Sequence, residues 1–213
     1  MISYKIHLIR GLSAQANDPP VYLGQSDPPP LASSLQALKE KREGVGYPPV
    51  KRVYTSPLSR CWAAASLLYP DREARIVDGL AEIGLGAFEG KTFDALKGEA
   101  GFIRWLDNSL EHAPPGGEKA DDFTQRVLGA FDGIVMEMMR EQVTDGAVIT
   151  HGGVIMALMA GVAFPRLPIH NWATPHGDGF TLMTTTQMWT RDRCAEAYKL
   201  FPTREEEVQE DFV

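Results

Sequence analysis

The sequence predicts an α/β fold built on parallel strands, and three stretches carry that prediction. In each, a short strand-like stretch, largely apolar in the first and third, stops at a polar or charged residue and gives way to small residues that open a loop or a helix. They are Lys5-Ile6-His7-Leu8-Ile9-Arg10 into Gly11, Val50 to Thr55 into Ser56-Pro57, and Ala147-Val148-Ile149-Thr150 into His151-Gly152-Gly153. Apolar runs of this kind suit strands buried on both faces. Strand followed by helix is the order of α/β sheets, whose sites lie outside the carboxyl ends of the strands. On this reading Arg10 is delivered to that edge, and the rest of the chain supplies its partners.

Composition narrows the function classes. A chain of 213 residues with 44% hydrophobic residues is long enough for one well-buried domain and short for two. Its 28 acidic residues outnumber 21 basic ones, a net charge of -7. That argues against a nucleic-acid partner, which needs a basic surface, so an anionic ligand requires a local basic pocket. Cys61 and Cys194 form neither a CxxC pair nor a metal spacing and are expected as free thiols. No membrane span and no signal-peptide pattern is expected, which points to a cytoplasmic protein without a membrane partner.

The elements follow in order. After the first strand, residues 18 to 30 are rich in Pro and Gly and predict an ordered loop. Leu31 to Glu43 places Leu31, Leu35 and Leu38 at helical spacing, and Gly44 to Pro49 breaks the helix. Val50 to Thr55 is a second strand. Ser56-Pro57 starts a helix over Leu58 to Tyr69, with Ser able to cap and Pro suited to the first turn, so Arg60 falls near the helix start. A short strand is expected near Arg75 to Val77, then a Gly-rich loop from Leu80 to Gly90. Residues 91 to 117 hold one or two short helices around Phe93, Leu96, Phe102, Trp105 and Leu106. Glu118 to Glu141 is the longest helical pattern, with Phe123, Val127, Phe131, Ile134 and Met138 on one face. Asp145-Gly146 turns into the strand Ala147 to Thr150, and Val154 to Val162 is a helix whose free amides beside His151 suit an anion. Phe180 to Thr186 and Gln187 to Trp189 are expected as strands, followed by an irregular charged end with a solvated Glu205-Glu206-Glu207.

Four of these stretches resemble the motifs of the histidine phosphatase superfamily, the phosphoglycerate mutase-like fold, over roughly residues 4 to 190. Leu8-Ile9-Arg10 followed by Gly-x-Ser resembles hydrophobic-hydrophobic-Arg-His-Gly-x-Ser/Thr. Ser56-Pro57-Leu58-Ser59-Arg60 resembles Ser-Pro-x-x-Arg. Leu80-Ala81-Glu82 through Gly86, Phe88, Glu89 and Gly90 resembles Leu-x-Glu-x-x-x-Gly-x-aromatic-Glu-Gly, and Thr150-His151-Gly152-Gly153 the second histidine motif. The resemblance implies a three-layer α/β/α domain with a mostly parallel central sheet over 1–213. It implies hydrolysis of a small phosphomonoester through a phosphohistidine, with no cofactor and no metal. Arg10, Arg60 and His151 would hold the transferring oxygens, and Glu82 would protonate the leaving oxygen. Ser13, Asn17 and Gly152 would border the substrate, and residues 91 to 117 would form a lid-like segment over the site, its aromatic residues chiefly packing, with substrate contact the alternative. Apart from the resemblance, Glu89 reads as a structural carboxylate that holds the loop. Two guanidiniums match the planar demands of a phosphoryl group.

The chain departs from the family at the nucleophile, the His expected after Arg10. An ungapped alignment puts Gly11 there and keeps Asn17 in place; a one-residue gap keeps Gly11-Leu12-Ser13 instead. Both remain open on the sequence. His7 does not substitute, since three residues upstream places it about 10 Å back along the strand and on the opposite face. A phosphatase, less readily a mutase, and a phospholigand-binding protein without turnover are therefore the two function classes. Intact mass separates a chain lacking the His from one carrying a modified His between Arg10 and Gly11.

Overall fold

The computed structural model describes residues 2–14 and 19–201. Its elements are β1 (Ser3–Arg10), α1 (Ala32–Val45), β2 (Arg52–Thr55), α2 (Ser59–Leu68), β3 (Ala74–Ile76), α3 (Phe93–Leu96) and α4 (Ala100–Asp107). They continue with α5 (Ala120–Arg140), β4 (Asp145–Thr150), α6 (Gly152–Val162), β5 (Ala163–Phe164), β6 (Gly179–Thr185), α7 (Thr186–Asp192) and β7 (Ala195–Lys199). The strands form one sheet in the order β3-β2-β4-β1-β6-β7-β5. The β3-β2-β4-β1 half is parallel, and β6 runs antiparallel to both β1 and β7.

Side-chain alternation divides the core into two layers. Tyr4, Ile6 and Leu8 of β1, with Tyr54 and Val148, face α5 and α6 through Phe131, Val135, Ile155 and Leu158. Ile9, Val53, Ala147 and Ile149 face the opposite way, onto Cys61, Ala64, Ala65 and Leu68 of α2 and Leu38 of α1. The period of two along a strand thus serves both helix layers, which is why apolar residues stand at successive positions in the central strands. A satellite cluster of Leu85, Phe88, Leu96 and Phe102 anchors the 91–117 segment. Phe102 is fully buried and meets Tyr22, Phe88 and Trp105 at ring-centroid distances of 5.3, 5.3 and 5.9 Å, so Leu96, Phe102 and Trp105 pack as expected, while Phe93 and Leu106 are exposed.

Several sequence expectations are corrected. Gln187 to Trp189 is not a strand but part of α7: Thr185 accepts the Met188 amide through its hydroxyl, a helix cap that ends β6. The end expected as irregular contains β7, paired to β6 on one side and β5 on the other. Asp145-Gly146 belongs to β4 rather than to a turn. In α1 only Leu38 is buried, and Leu35 is exposed. The Glu205-Glu206-Glu207 tail lies outside the described residues.

Candidate active site

The carboxyl ends of β1, β2 and β4 meet around a pocket of about 200 Å³, whose walls include Arg10, Gly11, Ser13, Arg60, Glu82, His151, Gly152 and His176. The predicted Arg10, Arg60, Glu82 and His151 are therefore brought together, with Ser13 and Gly152 beside them. Asn17 lies outside the described residues.

Arg10 closes β1. Its backbone is held on both sides, the amide donating to Asp178 O at 2.8 Å and the carbonyl accepting the Gly177 amide at 2.8 Å. Nη1 donates to Thr174 O at 2.6 Å, which fixes the guanidinium in the pocket wall. The guanidinium lies against Gly152, where a Cβ would come within 3.2 Å of Cζ and Nε, so the glycine makes room for the arginine.

Arg60 is 5% exposed and is tied to the loop that precedes α1. Nη1 donates to Ser26 O at 2.9 Å, Nη2 to Gly24 O at 2.6 Å and Nε to His151 Nδ1 at 3.2 Å. That loop also supplies the cap of α2: Asp27 accepts the Ser59 amide at 2.9 Å and the Ser59 hydroxyl at 2.8 Å. Asp27 thus joins the cap expected from Ser56, whose hydroxyl accepts the Leu58 amide at 3.3 Å and also meets His151. Because an arginine N–H only donates, His151 Nδ1 must accept, so Nε2 carries the proton and donates to Ser56 Oγ at 2.7 Å. His151 is 5% exposed, and burial first, then Arg60 and Arg10, push its pKa well below the usual range. It is a neutral imidazole with both nitrogens engaged.

Glu82 leaves a short turn after β3. Its carboxylate accepts the Gly153 amide at 3.0 Å and the Ile83 amide at 2.9 Å. The N-terminus of α6, expected to face a ligand, is thus taken in part by Glu82. A Cβ on Gly153 would meet Glu82 Oε1 at 2.4 Å, so the two glycines after His151 have separate purposes, one for each functional side chain. Burial raises the Glu82 pKa, against the lowering effect of the two amides and of Arg60 and Arg10. Among the described residues no ion pair joins Glu82 to either arginine, and their influence acts at longer range. Glu89 holds the loop as expected, accepting the Gly24, Gln25 and Leu85 amides at 2.9, 2.8 and 3.2 Å.

The chain passes directly from Arg10 to Gly11, whose amide donates to Thr150 O at 2.7 Å. A Cβ at Gly11 would meet Cys61 Sγ at 2.8 Å and Arg60 O at 3.2 Å. Cys61 is fully buried, and burial drives its thiol pKa far upward, so it fills space as a neutral thiol. His7 stays in the sheet, bonded to Thr181 Oγ1 at 2.9 Å.

Two residues were not found by sequence reasoning. His176 sits in the turn before β6, and its Nδ1 lies 2.6 Å from Gly11 O. Arg126 of α5 donates through Nη1 to Gly79 O at 2.9 Å and Ala81 O at 3.0 Å, and pairs with Glu118 at 2.8 Å, clamping the turn that carries Glu82. Neither has a local sequence signal.

Fold and pocket define an α/β protein with two arginines and a protonatable carboxyl gathered at the carboxyl edge of its sheet. The chain belongs to the histidine phosphatase superfamily, branch 1, whose family profile matches residues 6–193. A protein of Hydrogenobacter thermophilus that carries the name of a phosphoserine phosphatase is 26% identical over 173 residues, covering 76% of this chain and 82% of the relative. The α-ribazole phosphatase of Shigella flexneri superimposes with a TM-score of 0.75 at 21% identity, over 86% of this chain and 92% of that one. A mycobacterial glucosyl-3-phosphoglycerate phosphatase gives a TM-score of 0.71 at 20% identity, over 92% and 97%. At these identities the two structures speak for the fold. Among the described residues no helix is long and apolar enough to cross a membrane.

Proposed function

We propose that the chain hydrolyses phosphomonoesters of small hydroxylated molecules in the Arg10–Glu82–His151 pocket. Arg10 and the N–H groups of Arg60 not spent on the 24–27 loop stabilise the equatorial oxygens, where charge gathers in phosphoryl transfer. His151, neutral and held by Ser56, orients Arg60 through Nδ1. Glu82 gives its proton to the leaving oxygen. Gly152 lets Arg10 approach, and Ser13 borders the substrate from the loop after β1. A pocket of about 200 Å³ suits a phosphoryl group with a small alcohol portion. The names of the relatives share that chemistry and differ in the alcohol. A cytoplasmic setting fits the same reading, since Cys61 and Cys194 are both free.

The observation that carries this reading is Glu82. A site that only binds phosphate gains nothing from a buried carboxyl beside two arginines, because its ionised form repels the ligand. A site that cleaves an ester needs an acid there. Glu82→Gln is expected to slow alkyl phosphates such as phosphoserine about 100-fold or more, and p-nitrophenyl phosphate, whose leaving group needs no proton, by less than about tenfold. Equal losses on both esters would make Glu82 a binding residue. Gly11 in place of the expected His favours the second reading, a phospholigand-binding protein without turnover. That reading predicts micromolar binding of a phosphate ester that is recovered intact after prolonged incubation.

A further inference from the structure

Hydrolysis through a phosphoenzyme needs a lone pair inside the pocket, and Gly11 has no side chain to provide one. Ser13 and Glu82 also line the pocket, but a serine hydroxyl needs a base to attack and Glu82 is the acid of the reading above; three further groups stand close. His151 has Nδ1 occupied by Arg60 and Nε2 by Ser56. Cys61 is sealed in the core as a neutral thiol, its Sγ 3.5 Å from His151 Nε2. His176 remains, on the pocket wall and on the side of Gly11.

We infer that His176 is the nucleophile of this enzyme, attacking phosphorus through Nε2 from the turn before β6, which packs beside the strand position after Arg10 where the family carries its histidine. The inference rests on the phosphatase reading above. Geometry assigns the tautomer. The Gly11 carbonyl can only accept, so Nδ1, at 2.6 Å, carries the proton and Nε2 keeps the lone pair. Among the described residues no hydrogen bond engages Nε2. The turn is firmly placed, since Thr174 O, Gly177 N and Asp178 O all bond to Arg10, and Tyr47 Oη donates to Gly177 O. Lys41 pairs with Asp178 at 3.0 Å. The groups facing His176 keep it neutral: burial, then Arg10 and Arg60, lower its pKa, against the hydrogen bond to Gly11.

The steps balance. The Nε2 pair forms an N–P bond as the ester P–O bond breaks, its electrons passing to the leaving oxygen, which takes the Glu82 proton. Water then attacks phosphorus and gives a proton to the Glu82 carboxylate, while the N–P pair returns to Nε2 and inorganic phosphate leaves. The Nδ1–H bond to Gly11 O persists throughout and stabilises the positive ring of the intermediate.

The test uses the full chain with p-nitrophenyl phosphate, quenched in alkali and mapped by mass spectrometry. A phosphoryl group on His176 is expected, together with a loss of turnover of about 10³-fold or more in His176→Asn. Asn keeps an N–H donor for Gly11 O, so circular dichroism and melting should be unchanged. Imidazole in solution is expected to restore part of the turnover of His176→Gly. Label on another residue, no label during turnover, or His176→Asn within tenfold of the parent would overturn the inference while leaving the phosphatase reading intact. A parent that neither turns over nor labels overturns the inference too, and Gly11→His combined with Cys61→Ala then judges the pocket. That variant rebuilds an imidazole after Arg10 with the Cys61 sulfur removed, leaving Arg60 O and Cys61 Cα, each 3.2 Å from the new Cβ, to yield by a few tenths of an ångström. Its activity would show a phosphatase pocket without a working His176, and its silence would bring down the phosphatase reading as well.

Discussion

At Glu82 the fold itself favours the acid form, and this has a sign that can be checked. A carboxyl whose pKa is raised in the folded state binds its proton more tightly there than in the unfolded chain. Below the unfolded value both states are protonated and nothing is lost; as pH rises toward the folded value the unfolded chain ionises first and stability falls. Glu82→Gln, isosteric with the neutral acid, is expected to melt with the parent near pH 4 and above it at pH 8, as read by thermal melts across that range. The same substitution removes the leaving-group proton, so it separates stability from activity. His7 works in the opposite direction. Burial lowers its pKa from 6.5 to about 4, with Asp145 opposing and Lys5 adding. The neutral ring contributes stability that is present above pH 6.5 and lost as pH falls toward 4, on the order of 3 kcal/mol in all. In His7→Gln, which keeps a partner for Thr181, that acid-side loss should flatten in denaturant titrations at pH 7 and pH 4.

Among the elements, the legibility of the chain followed the range of the interaction that fixes each one. The strands ending at Arg10 and Thr150 were readable because burial leaves largely apolar runs, the one ending at Thr55 because the Ser56-Pro57 helix start bounds it, and α5 because its buried face recurs at helical spacing. Arg60, Glu82 and His151 were placed by the resemblance of their stretches to family motifs, since alone each reads more readily as a solvated or core residue. The segment after β6 was misread because Thr184, Thr185 and Thr186 suit a strand as well as a cap, and only the Thr185 bond to Met188 decides. Arg126 and His176 were invisible because their meaning lies in carbonyls distant along the chain: Gly79 and Ala81 for Arg126, and Gly11, 165 residues away, for His176. The α5 clamp yields a further expectation. Arg126→Ala frees the turn before Glu82 and leaves Glu118 without its partner, at a cost of about 2 kcal/mol. Since Arg126 acts through Glu82, kcat on alkyl phosphates should fall with little change in KM, and activated aryl esters should be spared. A matching rise in KM for both substrates would make Arg126 part of phosphate binding instead.

Across the whole molecule, the sheet order explains how residues from opposite ends of the chain reach one pocket. β1 lies between parallel β4 and antiparallel β6, so the end of β4 and the start of β6 flank the same tip of β1. The first brings His151 and the glycines, the second Thr174 and His176, and β2 on the other side of β4 brings Arg60. The cationic site is thus an intersection of four connections, and it exists only in the folded chain, which carries a net charge of -7 overall. A ligand of this site must therefore stabilise the fold by mass action. Inorganic phosphate at a hundred times its dissociation constant adds about 2.7 kcal/mol, which for a chain of this size raises the melting temperature by about 5 to 10 °C. Arg10→Gln removes the guanidinium least committed to the loops and should abolish the phosphate-dependent rise while leaving the melt without phosphate within a few degrees of the parent. The rise should also shrink as sodium chloride is increased at fixed phosphate, because attraction between the ion and the partly exposed Arg10 is screened. An equal rise in the parent and in Arg10→Gln would mean that phosphate acts as a general stabilising salt, and the pocket would lose its claim to the anion.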